Sequence, residues 1–236
     1  MDFSDELQTK GFVIVPDVIA ANDLSAYRDA VEMALQNNPS RDPAPGLRNV
    51  FEIVDAVREF AVSQRLRQII EPILGSDYFA VRALIFDKTF NETFGANWKV
   101  PFHQDLTIAV KEKNEVDGFS AWSLKEGVLH VQPPVEILER MLTVRLHLDD
   151  CDENNGALRV LSGSHRSGRL SAKDIQKFRQ AQDEAVCVVS EGGVLLMRPL
   201  LLHASSAAKT ARRRRVLHLK FDSGELPHGL EWHWRY

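Results

Sequence analysis

The amino-acid sequence predicts a mainly β fold with flanking helices, of the α+β class. Three observations carry this. In residues 1–75 the apolar positions recur at helical spacing, as in Leu24, Tyr27, Ala30, Val31 and Leu35. From Tyr78 to Phe221 the pattern changes to short runs rich in β-branched and aromatic residues, several alternating strictly. About eight to ten such runs suit a double-sheet jelly roll of the cupin kind, with an N-terminal helical layer on one face.

The elements follow in order. Residues 4–10 read as a short helix with Ser4 or Asp5 near its start, and 11–16 as a strand stopped by Pro16. Residues 21–36 read as a helix that Asn22 or Asp23 would cap. The Pro-rich stretch 37–47 is a loop. Residues 54–74 form one broken helix or two adjacent ones, ending at Gly75. Residues 78–90 are a long strand and 99–110 the next. Residues 111–133 form a long insertion with apolar anchors at Phe119, Trp122, Leu124, Val128 and Val131, which reads as a lid or substrate wall. Pro133–Pro134 opens a helical turn through Leu138. In 141–149, Leu142, Val144, Leu146 and Leu148 share one face, and Thr143, Arg145 and His147 the other. Asn154–Asn155–Gly156 is a turn leading into the strand 157–161. A helix over 172–182 capped by Ser171, short strands at 186–189 and 194–197, and a last strand at 213–221 complete the core. The Trp-rich tail packs back on the body.

The chain has 236 residues, 44% hydrophobic and 26% charged, with a net charge of -4. This is ordinary for a soluble globular protein and gives no general attraction to nucleic acid or anionic membranes. No linker, repeat or low-complexity segment interrupts it, so one domain over 1–236 is expected, with a helical layer at 1–75 and a jelly-roll core at 78–221. Two cysteines, Cys151 and Cys187, make no disulfide framework. The acidic N-terminus lacks an apolar targeting core and no run reaches membrane-span length, so a cytoplasmic setting is expected.

The chemistry centres on Pro101-Phe102-His103-Gln104-Asp105. On a strand, residues i and i+2 point to the same side, so His103 and Asp105 could grip one metal ion. Two His and one carboxylate leave positions open for substrate and dioxygen, the donor set of non-haem Fe(II) oxygenases. His203 is the candidate third ligand, since a jelly roll brings distant strands together. The second signal is Arg212–Arg215, running into Val216–Phe221. Alternation puts Arg213, Arg215, Leu217, Leu219 and Phe221 against the core. It puts Arg212, Arg214, Val216, His218 and Lys220 on the other face, which could look into a polar cavity. A 2-oxo acid with a distal carboxylate needs a guanidinium to hold it, and Arg214 fits best, with Arg212 the rival. Lys88 is either a solvated strand residue or a cation reaching into the site. On the polar face of 141–149, which is either solvent-facing or cavity-lining, Thr143 is a further cofactor-binding candidate, and Arg145 could meet an anionic substrate group. Trp122 and Gln132, in the insertion, are the candidates for closing over substrate.

The chain resembles the phytanoyl-CoA dioxygenase family of Fe(II)/2-oxoglutarate-dependent oxygenases. The resemblance is carried by Gly11-Phe12-Val13, Phe102-His103-Gln104-Asp105, and Asp149-Asp150 leading into Asn155-Gly156-Ala157-Leu158-Arg159-Val160. It continues through Ser162-Gly163-Ser164-His165-Arg166-Ser167-Gly168, Gly192-Gly193-Val194, and His203-Ala204-Ser205 before the arginines. It implies a double-stranded β-helix fold, with Fe(II) held by His103, Asp105 and His203. It also implies 2-oxoglutarate as co-substrate with O2, its distal carboxylate on Arg214, assisted by Ser205. His165 matches a loop position that binds no metal. Related halogenases replace the carboxylate by a small residue, so Asp105 favours hydroxylation of a small-molecule substrate. The alternative is a jelly-roll binding protein that has lost turnover. A nucleic-acid module built on the arginine run is disfavoured by the net acidity.

Overall fold

The computed structural model describes residues 3–38, 46–88 and 99–236. The middle of the expected 37–47 loop and the end of the expected 78–90 strand, Thr89 and Phe90, lie outside the described residues. The first third is helical: α1 (Ser4–Thr9), β1 (Phe12–Val15), α2 (Ala21–Asn37), β2 (Gly46–Leu47), α3 (Val50–Ile53), α4 (Asp55–Ala61) and α5 (Gln64–Leu74). Then follow β3 (Phe79–Lys88), β4 (Val100–His103), β5 (Ile108–Val110), β6 (Ser120–Lys125), β7 (Val128–Gln132) and α6 (Val135–Arg140). β8 (Leu142–His147), β9 (Leu158–Val160), α7 (Ala172–Ala181), β10 (Ala185–Cys187), β11 (Val194–Met197), β12 (His203–Ser205) and β13 (Arg214–Asp222) end the chain.

Caps explain several boundaries. Ser63 Oγ accepts from Leu66 N–H to start α5, and Gly75, at φ +85°, ends it. Ser171 Oγ accepts from Asp174 N–H at the start of α7. At α1 and α2 the expected side-chain caps are absent: Phe3 and Ala20 occupy the cap positions and neither makes a side-chain cap bond. Packing holds these helices instead, through Leu7 and through Leu24, Val31 and Leu35, all essentially excluded from solvent.

Among the described residues the strands form a six-stranded sheet in the order β1-β11-β8-β13-β3-β2, a four-stranded sheet β10-β9-β12-β4, and a three-stranded sheet β5-β7-β6. The large sheet has two chemically different faces. Leu142, Val144 and Leu146 of β8 and Leu217, Leu219 and Phe221 of β13 meet Leu24, Val31, Phe60, Leu66 and Ile70 of the helices in one apolar cluster. Each such side chain, fully buried, contributes roughly 1.5–3 kcal/mol. The other face carries Arg145, His147, Arg214, His218 and Lys220, all buried, opposite the four-stranded sheet. The alternation read from β8 and β13 is therefore the alternation observed. The Trp-rich tail docks as expected: Trp232 and Trp234 are buried, and Tyr236 exchanges two backbone hydrogen bonds with Ala80, at 2.8 and 3.1 Å.

Two expectations are corrected. Residues 99–110 are not one strand. β4 ends at His103, and β5, starting at Ile108, belongs to another sheet. Residues 111–133, read as a long insertion without strands, contain two. β6 and β7 pair as a hairpin and β5 joins the free side of β7. The hairpin turn is Glu126-Gly127, with φ +48° and +81°. This is a two-residue turn with both φ positive, normally signalled by Asn-Gly or Asp-Gly; glutamate in that place hid it.

Candidate metal centre

β12 runs antiparallel beside β4, with His203 directly opposite His103. The ring centroids are 4.2 Å apart. In both rings Nδ1 is bound by the carbonyl two residues earlier: Pro101 O at 2.9 Å for His103, Leu201 O at 2.8 Å for His203. Nδ1–H donates there, so each Nε2 keeps its lone pair for a metal. Asp105 lies beyond the end of β4, so strand alternation does not aim it. Its backbone N–H donates to Pro199 O at 2.9 Å, and its carboxylate turns back toward the two imidazoles. Oδ1 is 3.9 Å from His203 Nε2. One ligand atom from each of His103, Asp105 and His203 lies within 4.8 Å of the others.

Gln104, between the two ligands, clamps this turn. Its side chain donates to Gly168 O at 2.8 Å and Leu200 O at 2.7 Å and accepts from Leu170 N–H at 2.8 Å. Nothing in the sequence singled it out beyond its position between two ligands.

The protonation states suit metal binding. Burial, then His103 nearby, lowers the His203 pKa to about 4, so the ring is neutral near pH 7. Burial opposes ionisation of Asp105. Lys220, with Nζ 3.1 Å from Oδ2, outweighs it and holds the carboxyl well below the usual carboxylate range. His218 Nε2 is 3.7 Å from the same oxygen. Its Nδ1 accepts from Arg145 Nη1 at 2.8 Å. Burial and the Arg145 charge keep His218 neutral. The site assignment from sequence lacked Lys220 and His218; their place on the cavity face of the last strand was the available signal.

One cavity of about 130 Å³ is lined by the triad, by Ser205 and Arg214, and by Arg145 and His218. Arg214 is 3% exposed, and its Nε and Nη1 are buried without a hydrogen-bond partner. Lys88 faces Arg214 across the β3–β13 ladder. Its Nζ donates to Ser206 O at 2.6 Å and lies 3.4 Å from Ser205 Oγ. Burial, then Arg214, brings the Lys88 pKa down to about 7. Gly156 makes room here: its φ is +84°, and a Cβ would stand 2.7 Å from Ser206 O and 3.1 Å from Lys88 Nζ. Arg212 is exposed and ion-paired with Asp152, which decides the register in favour of Arg214 as the inward arginine. His165 lies elsewhere, with Nε2 3.1 Å from Gln8 O and its ring over Gly11.

The remaining candidates are placed less centrally. Arg145 is deep in the cavity on His218 rather than at its mouth. Thr143 shares that face two residues along but is outside the cavity lining, as are Trp122 and Gln132 in the three-stranded sheet.

Residues 7–216 match the family model "Phytanoyl-CoA dioxygenase (PhyH)". The chain belongs to the phytanoyl-CoA dioxygenase family. No curated protein sequence matches it. Among solved structures, this family member is similar to the non-haem α-ketoglutarate-dependent epimerase SnoN from nogalamycin biosynthesis, at 16% identity and a TM-score of 0.72, covering 94% of this chain and 80% of that one. It is also similar to the carbocyclase SnoK of the same biosynthesis, at 15% identity and TM-score 0.69, covering 94% and 86%. HygX from Streptomyces hygroscopicus, solved with nickel and 2-oxoglutarate bound, superposes at 13% identity and TM-score 0.66, covering 92% and 84%. At these identities the likeness establishes the common fold. Among the described residues, no helix is long and apolar enough to cross a membrane.

Proposed function

We propose that this member of the family is an Fe(II)- and 2-oxoglutarate-dependent dioxygenase that hydroxylates a C–H bond of a small-molecule substrate. The observation that carries it is one cavity lined both by the His103–Asp105–His203 cluster and by Arg214, whose buried Nε and Nη1 have no hydrogen-bond partner. Two imidazoles and one carboxylate fit Fe(II), because that donor set would leave positions open for co-substrate and dioxygen. When bound, Fe(II) with O2 and 2-oxoglutarate supplies the oxidising chemistry, converting substrate C–H to C–OH with release of succinate and CO2.

The chain's own residues do the rest. His103 and His203, locked by their Nδ1–H bonds, present Nε2. Lys220 and His218 keep Asp105 ionised and oriented. Arg214 offers a bidentate fork for the distal carboxylate, with Lys88 and Ser205 beside it. Phe86 and Leu158 in the wall exclude water. Asp105 keeps the carboxylate that a halide site would lack, which favours hydroxylation. The whole chain, 1–236, acts as one catalytic domain, and the β6–β7 hairpin, whose turn meets Arg48 and Asn49, covers one flank. The free, buried Cys151 and Cys187 suit a reducing cytoplasmic setting.

The test is Fe(II)-dependent formation of succinate from 2-oxoglutarate, first alone and then across a panel of candidate substrates. Slow background turnover stimulated by some compound is expected. No succinate under any condition returns the protein to a ligand-binding role.

A further inference from the structure

Arg82, on β3, is only 8% exposed, yet among the described residues its guanidinium makes no hydrogen bond and no ion pair. Directly opposed residues of an antiparallel pair share a face. On the cavity side, β3 and β13 therefore form the rungs Lys88–Arg214, Phe86–Val216, Leu84–His218 and Arg82–Lys220. Arg214 and Lys220 are six residues apart, about 20 Å at strand rise. His218 and the carboxylate of Asp105 stand between them. A five-carbon diacid that reaches from the metal ligands to Arg214 does not reach Arg82.

The charges around Arg82 do not balance. Lys220, Lys125 and Arg48 surround it, with Asp105 and Glu126 as the carboxylates in range. Glu126 is ion-paired with Arg48 at 3.3 Å. Asp105 is held by Lys220 and belongs to the triad. No described carboxylate remains for Arg82 or for the half-buried Lys125. Across β13 from Lys220, the fully buried Thr143 also leaves its Oγ1 without a partner. Burying a guanidinium without a counter-charge costs several kcal/mol, and such a cost is retained where a ligand supplies the missing charge.

We propose that Arg82 and Lys125, with Lys220 beside them, form a subsite for an oxyanionic group of the substrate, a carboxylate or a tetrahedral oxyanion such as phosphate or sulfate. The substrate is then an organic anion bound on the side of the metal ligands opposite Arg214, a conclusion that rests on the dioxygenase reading for which side is substrate and which co-substrate. The Arg82 fork takes two oxygens of the group, and Lys125, on the hairpin edge, closes over it.

The protein loaded with Fe(II) and saturating 2-oxoglutarate under argon, so that Arg214 is engaged, is titrated calorimetrically with sulfate and with acetate. Saturable one-site binding of at least one probe is expected, weakened tenfold or more in Arg82→Gln and threefold or more in Lys125→Gln; the preferred probe tells tetrahedral from planar oxyanion. Binding of neither probe, or binding that both variants leave unchanged, overturns the subsite. If Arg82→Gln does not fold, Lys125→Gln decides alone. The visible absorbance of the Fe(II)–2-oxoglutarate complex is recorded in the same cell. Its absence, with Arg82-dependent anion binding intact, removes the dioxygenase reading and leaves the oxyanion site standing.

Discussion

His103 and His203 sit directly opposite each other on β4 and β12, 100 residues apart in sequence and 4.2 Å apart between ring centroids. Each is fixed by the carbonyl two residues before it, so the pair is oriented before any metal arrives. Replacing His203 by Ala should lower Fe(II) affinity by more than the roughly 10–100-fold typical of outer-sphere changes. His165→Ala should leave metal binding intact, because that ring only packs between Gly11 and Gln8 O. Metal titration of the two variants checks this.

Arg214 and Arg212 should separate just as cleanly. Arg214→Ala removes a buried fork and should weaken 2-oxoglutarate binding by roughly 10- to 100-fold, the value of one charge-assisted contact. Arg212→Ala loses only an exposed pair with Asp152 and should change binding less than about threefold. Calorimetric titration of 2-oxoglutarate compares them.

Lys88 should give 2-oxoglutarate binding a pH dependence. Its pKa in the free protein is about 7. A bound carboxylate favours the ammonium form and raises that pKa, so binding takes up a proton whenever Lys88 starts neutral. Affinity is then full below pH 7 and falls as pH rises through it, by up to about tenfold per unit. Binding measured from pH 6 to 9 should show this slope, and Lys88→Met should flatten it.

Much of this was legible in the sequence, for identifiable reasons. Strict alternation in 142–148 and 213–221 put Arg145 opposite the apolar face of one strand, and Arg214, His218 and Lys220 opposite that of the other, because the pleat turns successive side chains to opposite sides; that Arg145, Arg214 and His218 line a cavity rather than meet solvent came only with the fold. The triad was legible too, but the geometric reason for Asp105 was not. A strand continuing through 105 would point it by pleat, whereas the Gln104 clamp and the Asp105 N–H to Pro199 O bond set its direction. Their partners, Gly168, Leu200 and Pro199, lie 64 or more residues away, which no local pattern records. The β6–β7 hairpin was hidden by its Glu126-Gly127 turn and by the irregular register between Ser120 and Ser123. Arg82 stands out in no local pattern, because its isolation depends on which carboxylates Arg48 and Lys220 consume.

The helical layer packs on the apolar face of the large sheet in one buried cluster. Phe221 is fully buried on the helix side of β13, edge-on to Tyr78 at 5.9 Å. Phe221→Ala should cost about 3–5 kcal/mol, the loss of a large core ring plus its cavity. Denaturant unfolding should show the midpoint shift with the metal centre still competent in the remaining folded protein.

The central claim is that His103, Asp105 and His203 hold Fe(II) in the same cavity in which Arg214 holds 2-oxoglutarate. Anaerobic addition of 2-oxoglutarate to the Fe(II)-loaded protein tests it most directly, by the weak visible metal-to-ligand charge-transfer band of the chelate. The band is expected in the wild-type protein and in Arg212→Ala, absent in His203→Ala, and shifted to much higher 2-oxoglutarate concentration in Arg214→Ala. A wild-type protein that binds Fe(II) and 2-oxoglutarate yet gives no band, or a band that His203→Ala leaves unchanged, would contradict the account.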